Sequence, residues 1–357
     1  MTKYLVVAII ILLSCNSVEE DLEPTVFFKE VVGLESETLN FSGIEFNTPL
    51  EMMVLDSILV VHDQYPRGDD MYLFSLINLN NEVAPVKLFG REGRGPNEYL
   101  FPSSISRFPE NSNYLGINNR QLFSLSVVSV EELLKKERLD SLLYINKLDY
   151  NFSKVVPLSD SIFIGTGFFE SGRFGLANQD GQIKNVFLEY PYLENYPDFT
   201  NRELGMTFQS DLKVHSMSNK IAVSTFASAS LDILHFIDDS IYSIKSLNFY
   251  PPKFKSSSSG TRLSTQALPE NVSGFIRMTV SNSFIYLLYS GVKRSEGLDK
   301  YLSGYRVLKF NWQGEPITQY NLDAQVTMIS VDDNDEFLLA MHTNTNGKPV
   351  LLKYKLK

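Results

Sequence analysis

Cysteine occurs once in the 357 residues, at Cys15, so the folded chain can hold neither an internal disulfide nor a thiolate metal site. A basic surplus is missing as well. Lys and Arg number 32 against 42 Asp and Glu, a formal charge of −10 with pI near 5.0, and no basic stripe interrupts it. That balance argues against a nucleic-acid or anionic-membrane partner, because phosphate binding needs a basic field. The apolar run Tyr4 to Leu13 is too short to span a bilayer. Long amphipathic helical patterns are nearly absent. So are the local marks of common chemistries: there is no G-x-S-x-G elbow, H-E-x-x-H, P-loop or C-x-x-C. A site assembled from scattered residues would leave no such mark, and fold alone does not settle function.

What the chain has in quantity is β-type core material, with 25 Phe, 18 Tyr and 43% apolar residues. The length could serve two domains, but closed all-β folds often run this long as one unit. The most distinctive stretch is Leu88-Phe89-Gly90-Arg91-Glu92-Gly93-Arg94-Gly95-Pro96-Asn97-Glu98-Tyr99-Leu100-Phe101-Pro102. Its glycines permit positive φ, Pro96 fixes φ, and Tyr99 and Phe101 anchor the far side. It resembles the G-x-x-G-x-G-P-x-[EQ]-[FY]-x-x-P signature of NHL-type repeats. It is closer still to the linker of the TolB-like six-bladed β-propeller lipoproteins of Bacteroidota, where it leads from the outermost strand of one blade to the innermost of the next. Phe208 to His215, continuing through Ile221-Ala222-Val223 to Phe236, resembles the fourth-blade pattern of the same family. The NHL-like linker occurs once, so the chain is not a regular NHL array.

At the N-terminus, Lys3 and the apolar run precede Leu12-Leu13-Ser14-Cys15, which resembles a bacterial lipobox. The resemblance implies a signal peptide over residues 1–14, cleavage before Cys15 and acylation of that residue as a membrane anchor. Residues 15–24 form an acidic tether around Glu19-Glu20-Asp21. It resembles the signal that sends Bacteroidota lipoproteins to the outer face of the outer membrane; a plain solvated linker on the periplasmic face is the other reading.

Residues 25–357 are expected to form a single domain. Tight turns recur at Asp56, Ser112, Asp160, Ser218, Asn282 and Asp333, separated by roughly 50 to 60 residues, close to a propeller-blade period. Hairpins follow them: Tyr72–Leu79 with Val83–Phe89, Phe174–Asn178 with Ile183–Leu188, Leu231–Phe236 with Ile241–Leu247, and Tyr305–Asn311 with Pro316–Asn321. In the second repeat, Ser129 and Glu132 form a capping box that opens a short helix. The pattern predicts an all-β, six-bladed β-propeller of four-stranded antiparallel blades. The last repeat supplies only three strands, and Thr25 to Val32 is expected to close the ring as its fourth.

In such blades the tight turns occupy one face and the long loops the other, which makes the long-loop face the expected binding surface. Its candidate ligand-binding residues are Arg67, Arg91, Arg94, Tyr99, Asn119, Arg120, Phe169, Arg173 and Arg202. Forked Arg donors and aromatic faces suit an anionic or glycan-like ligand. His62, Asp63 and His342 fall at matching strand ends and are the weak metal candidates; histidines so placed are more often hydrogen-bonded loop residues, and no metal or cofactor is expected. The expected function is a monomeric binding or scaffolding lipoprotein of the cell envelope, with an envelope protein or an anionic small molecule or glycan as partner. The competing class is a propeller enzyme with its site in the central channel, either a metal-dependent lactonase or lyase, or a glycan-active enzyme.

Overall fold

The computed structural model describes residues 22–356 apart from 42–44, 68–70, 82–85, 96, 110, 136–140, 146 and 261. The signal segment, Cys15 and most of the acidic tether lie outside the described residues, as do Pro96 and the start of the Val83 strand. A 3-10 turn at Pro24–Phe27 leads to two short strands, β1 (Glu30–Leu34) and β2 (Ser36–Leu39). The first sheet holds β3 (Pro49–Leu55), β4 (Ile58–Arg67), β5 (Tyr72–Asn78) and β6 (Lys87–Glu92), with β7 (Glu98–Tyr99) added in parallel. The second holds β8 (Pro102–Phe108), β9 (Asn111–Asn119), β10 (Ser124–Ser129) and β11 (Ser141–Ile145). The third holds β12 (Phe152–Pro157), β13 (Ile162–Gly167), β14 (Phe174–Asn178) and β15 (Ile183–Phe187). The fourth holds β16 (Ser210–Val214), β17 (Lys220–Thr225), β18 (Ser230–Ile237) and β19 (Ser240–Asn248). A separate hairpin, β20 (Phe254–Ser256) with β21 (Thr265–Ala267), follows.

The remaining strands are β22 (Phe275–Val280), β23 (Phe284–Tyr289), β24 (Gly304–Asn311), the 16-residue β25 (Pro316–Val331), β26 (Phe337–Thr343) and β27 (Pro349–Lys355). They form one eight-stranded sheet with β1 and β2. That sheet is two antiparallel units sharing β25, whose N-terminal half pairs with β24 and whose C-terminal half pairs with β26.

N-terminal strands do pair with the last unit, but the segment differs from the expected Thr25–Val32. Pro24 opens a 3-10 turn, and paired extended backbone starts at Glu30. The fourth strand of the last unit is β2, antiparallel to β27 with Ser36 opposite Tyr354. β1 adds instead in parallel to the outer half of β25, with Glu30 opposite Thr318. Phe28 is buried edge-on against Phe310, 5.1 Å between ring centroids, and ties this crossover to the core.

Most strands are buried on both sides, which explains why they read as apolar runs rather than as alternation. Consecutive residues point into different layers. Met53 and Leu55 pack between the first and second sheets, while Met52 and Val54 pack against Met328 and Leu339 from the far end of the chain. Further apolar layers separate the second sheet from the third, the third from the fourth, the fourth from the β22 unit, and that unit from the last. The innermost strands neighbour one another in order, from β3 through β8, β12, β16 and β22 to β25, and β25 lies beside β3. Two hydrogen bonds mark the junctions around β25: Val54 N donates to Ser330 Oγ (2.9 Å) and Val331 N to Thr279 Oγ1 (3.2 Å).

The glycine-rich linker is built as its composition requires. Gly90 has φ of +69°, and a Cβ there would meet Phe74 Cδ2 at 2.6 Å. Glu98 folds back so that Oε2 accepts from Gly95 N at 2.7 Å, which makes this carboxylate a cap for its own loop. In the second sheet Ser129 Oγ accepts from Glu132 N (3.2 Å) and opens α1 (Val130–Lys135), as the capping box predicts.

Candidate functional site

The inner strands begin on the long-loop face, and their first residues converge there around a chamber of about 370 Å³. Glu51 comes from β3, Pro102 and Ser103 lead β8, Ser153 and Lys154 lie on β12, Ser210 and Asp211 on β16, and Arg277 on β22. Burying a charge is costly unless it is paired, and most of these are. Lys213 Nζ lies 2.9 Å from Glu51 Oε1 and 3.9 Å from Asp211 Oδ1, and Lys154 Nζ lies 3.4 Å from Asp211 Oδ1. Glu51 Oε2 also accepts from Ile105 N at 2.8 Å. The Glu51–Lys213 pair joins β3 to β16, strands of the first and fourth sheets. Lys213 also borders a much smaller cavity with Met52, Val54 and Met278, so the pair forms a bar across the bottom of the chamber.

The charges set one another's protonation. Burial alone would raise Asp211, but Lys154, Lys213 and Arg277 outweigh it and hold the carboxyl at about 2. Burial would lower Lys213, and Asp211 and Glu51 reverse that, so its ammonium is held above its ordinary range. Arg277 has no carboxylate within ion-pair distance among the described residues; its Nη1 donates to Ile276 O (2.9 Å) and its Nη2 to Leu50 O (3.3 Å).

One wall comes from the insertion after β15. Thr200 and Glu203 form a reciprocal capping box that opens α2 (Asn201–Thr207). Glu203 Oε1 accepts from Ser256 Oγ (2.6 Å) and Ser258 Oγ (2.7 Å), tying α2 to the β20–β21 hairpin. Burial pushes Glu203 up, but these hydroxyls and Thr200 outweigh it and bring the carboxyl to about 2. The tie presses α2 close to β13: a Cβ on Gly205 would sit 2.4 Å from Gly167 O. Tyr190, Phe208 and Gln209 thereby reach the chamber.

Of the residues expected on this face, Arg173 and His62 border the chamber. Arg173 is 4% exposed, packs over Phe174 and pairs through Nη1 with Asp232 Oδ2 at 2.7 Å. Its Nε and Nη2 have no hydrogen-bond acceptor among the described residues. Three others are buried in the framework and do not line the chamber. Tyr99 packs edge-on to Phe74 and hydrogen-bonds Ser126 Oγ at 3.0 Å. Asn119 clasps Leu100, its amide accepting from Leu100 N (3.1 Å) and donating to Leu100 O (2.6 Å). Phe169 packs edge-on to Phe152 in the layer between the second and third sheets. Arg202 is engaged by Glu170 (2.9 Å) and Asn151 (3.3 Å). Arg91 lies over Tyr72 and Arg120 over Phe168, both toward solvent, and Arg94 is exposed. Arg67 closes β4 opposite Tyr72, and its side chain lies outside the described residues.

The metal candidates have other partners. Asp63 Oδ1 accepts from Asn47 N and Thr48 N, both at 3.1 Å, and His342 Nδ1 is 2.8 Å from Gln325 O. Among the described residues no three His, Cys, Asp or Glu side chains gather as a metal site. His62 stacks on Phe74 at 4.9 Å, and burial lowers its pKa to about 4 despite Glu51 nearby. The unfolded chain binds a proton near pH 6.5, whereas folded His62 binds one only near pH 4. Stability is therefore complete above about pH 6.5 and falls as the pH drops toward 4, by about 3 kcal/mol from this group. Urea titrations across that window should show a smaller acid loss in His62→Gln, and equal slopes in the two proteins would refute the assignment.

Composition and motif spacing did not point to Glu51, Lys154, Asp211, Lys213 or Arg277, because they are isolated charges in short strands, one each in β3, β12 and β22 and two in β16. A usable signal was present: one charged residue falls two or three positions into the first strand of four repeats.

Four-stranded antiparallel sheets packed face to face around a polar axial chamber define a β-propeller. The chain belongs to the TolB-like 6-blade propeller-like family, whose profile matches residues 27–334. Among solved structures it is similar to a DUF4221 family member from Bacteroides vulgatus, at 13% identity and TM-score 0.54, covering 91% of this chain and 96% of that one. It is also similar to an inferred exported protein of Bacteroides fragilis, at 11% identity and TM-score 0.54, covering 92% and 100%. A Bacteroides thetaiotaomicron protein of unknown function aligns at 12% identity and TM-score 0.50, covering 92% and 75%. No functionally curated protein matches the sequence.

Proposed function

We propose that the sheets close into a six-bladed propeller and that the chamber on its long-loop face binds a small anionic ligand without turning it over. The order of inner-strand neighbours, which returns from β25 to β3, supports the ring. One observation carries the binding reading. On a chain of net charge −10, the chamber wall presents Lys154, Arg173 and Arg277 against only Glu51 and Asp211. Arg277 stands without a carboxylate partner, and its planar fork suits a carboxylate or phosphate. Both chamber carboxylates are engaged by lysines, and Asp211 stays ionised far below neutral pH, which supports binding over proton-transfer chemistry.

Calorimetric titration of the purified protein with inorganic phosphate and with D-galacturonate tests the reading. At least one should bind, and Arg277→Gln should weaken it about tenfold, the scale of one lost charge-assisted hydrogen bond. Absence of binding by any anion, or consumption of the ligand, would overturn it.

The lipobox at Leu12-Leu13-Ser14-Cys15 and the likeness to an inferred exported protein support a chain anchored through acylated Cys15 in the outer membrane. The acidic residues after it favour the cell surface. Cys15→Ala should move the protein into the soluble fraction, and retention in the membrane would refute the anchor.

A further inference from the structure

The two faces of the molecule differ in which residues hold left-handed backbone. On the tight-turn face the non-glycine residues with positive φ are Asp56, Asp238, Asp239 and Asp335, a residue type that tolerates this region. On the chamber face, beside Asn97, they are large and apolar: Met71, Phe101, Phe123, Leu188 and Tyr192, with φ between 48° and 59°. Bulky side chains are rarely kept in this conformation, and where they are, the strain points to a functional demand on the side chain. No packing demand explains Phe101 and Phe123, because they are 54% and 42% exposed.

Both stand at the same end of the second sheet. Phe101 immediately precedes Pro102, which lines the chamber, and Phe123 ends the connection between β9 and β10. Leu100 and Asn119 clasp the two connections together. The two aromatics are thus exposed on the face where the chamber opens, and the chamber wall presents Arg277, which has no carboxylate within ion-pair distance among the described residues. Ser153 and Thr166 line the chamber with hydroxyls that can donate and accept, while Ser103 Oγ and Ser210 Oγ, which donate to main-chain carbonyls, can still accept, and a sugar ring's hydroxyls need both roles.

We propose that the ligand is an acidic oligosaccharide: its charged terminal residue enters the chamber, and Phe101 and Phe123 stack the sugar residues that remain outside. This rests on the chamber's binding an anion. A sugar ring presents an apolar C–H face that an exposed aromatic can cover, and a chain of sugars can use separate platforms. A protein partner would instead require a contiguous apolar centre depleted of charge, whereas exposed Arg91, Arg94 and Arg120 share this face.

The test is calorimetry on the purified protein with D-galacturonate, its linear tetramer, a neutral galactose tetramer and an acidic peptide, tetraglutamate. The acidic tetramer should bind at least tenfold more tightly than the monomer, and the neutral tetramer should not saturate. In the Phe101→Asn/Phe123→Asn variant the tetramer should fall to monomer affinity while the monomer is unchanged. Asn tolerates positive φ, so the melting temperature should not drop; a drop with retained tetramer binding would make the two rings structural. Equal affinity for monomer and tetramer would overturn the rim and leave the anion-binding chamber standing. Tetraglutamate binding more tightly than the acidic tetramer would overturn the saccharide. Phosphate binding that Arg277→Gln abolishes, with no uronate binding at all, would likewise sink the saccharide and spare the chamber.

Discussion

A chain lacking residues 30–39 should melt well below the intact protein and scatter light on concentration. Those ten residues supply both β1 and β2, so their loss uncovers the outer half of β25 and the edge strand β27 together. Leu34 leaves a layer shared with Ile276, Tyr320 and Tyr354, and Val32 and Leu39 leave partly buried positions. The carboxylate of Asp323 loses Ser36 N and Ser36 Oγ, each at 2.9 Å, and keeps only Tyr354 among these partners. Lost burial of one large aliphatic side chain alone costs about 2–5 kcal/mol, and bared β edges invite pairing between chains. Urea unfolding followed by tryptophan fluorescence would measure the cost, Trp312 being the sole reporter. An unchanged midpoint would show that these strands do not hold the sheets together.

Lys213→Met should destabilise the protein by about 3–5 kcal/mol, the cost of leaving a buried charge without its partner. Lys213 and Glu51 expose only 11% and 15% of their side chains, so solvent screens the pair weakly. Removing the ammonium strands Glu51 and takes one of three cations from Asp211. The double variant Glu51→Gln/Lys213→Met removes both charges of the bar and should recover most of the loss, because a neutral pair needs no counter-charge. Denaturant curves for the two single variants and the double give the coupling energy directly. Costs that simply add would mean that the bar holds nothing across the chamber.

The turn residues, apolar runs and glycine-rich linker in the sequence carried the β character, the repeat period, the hairpins and the Ser129 cap. Each depends on contacts among near neighbours in the chain. Propensity, turn geometry and capping are local, so residues a few positions apart suffice to specify them. The side of the molecule that bears the long loops was legible for the same reason, since it follows from strand alternation alone.

What the chain does at its axis was decided only in three dimensions. Tyr99, Asn119 and Phe169 sit in long-loop connections or at their ends and look exposed in sequence, yet adjoining sheets bury them. Glu51 and Lys213, 162 positions apart, form one bar because the packing of the sheets brings β3 and β16 to opposite ends of a single ion pair. Crossover of the N-terminus onto two units was equally hidden. A strand's partner depends on which edge is left open, and that is a property of the assembled sheets rather than of the ten residues that fill it.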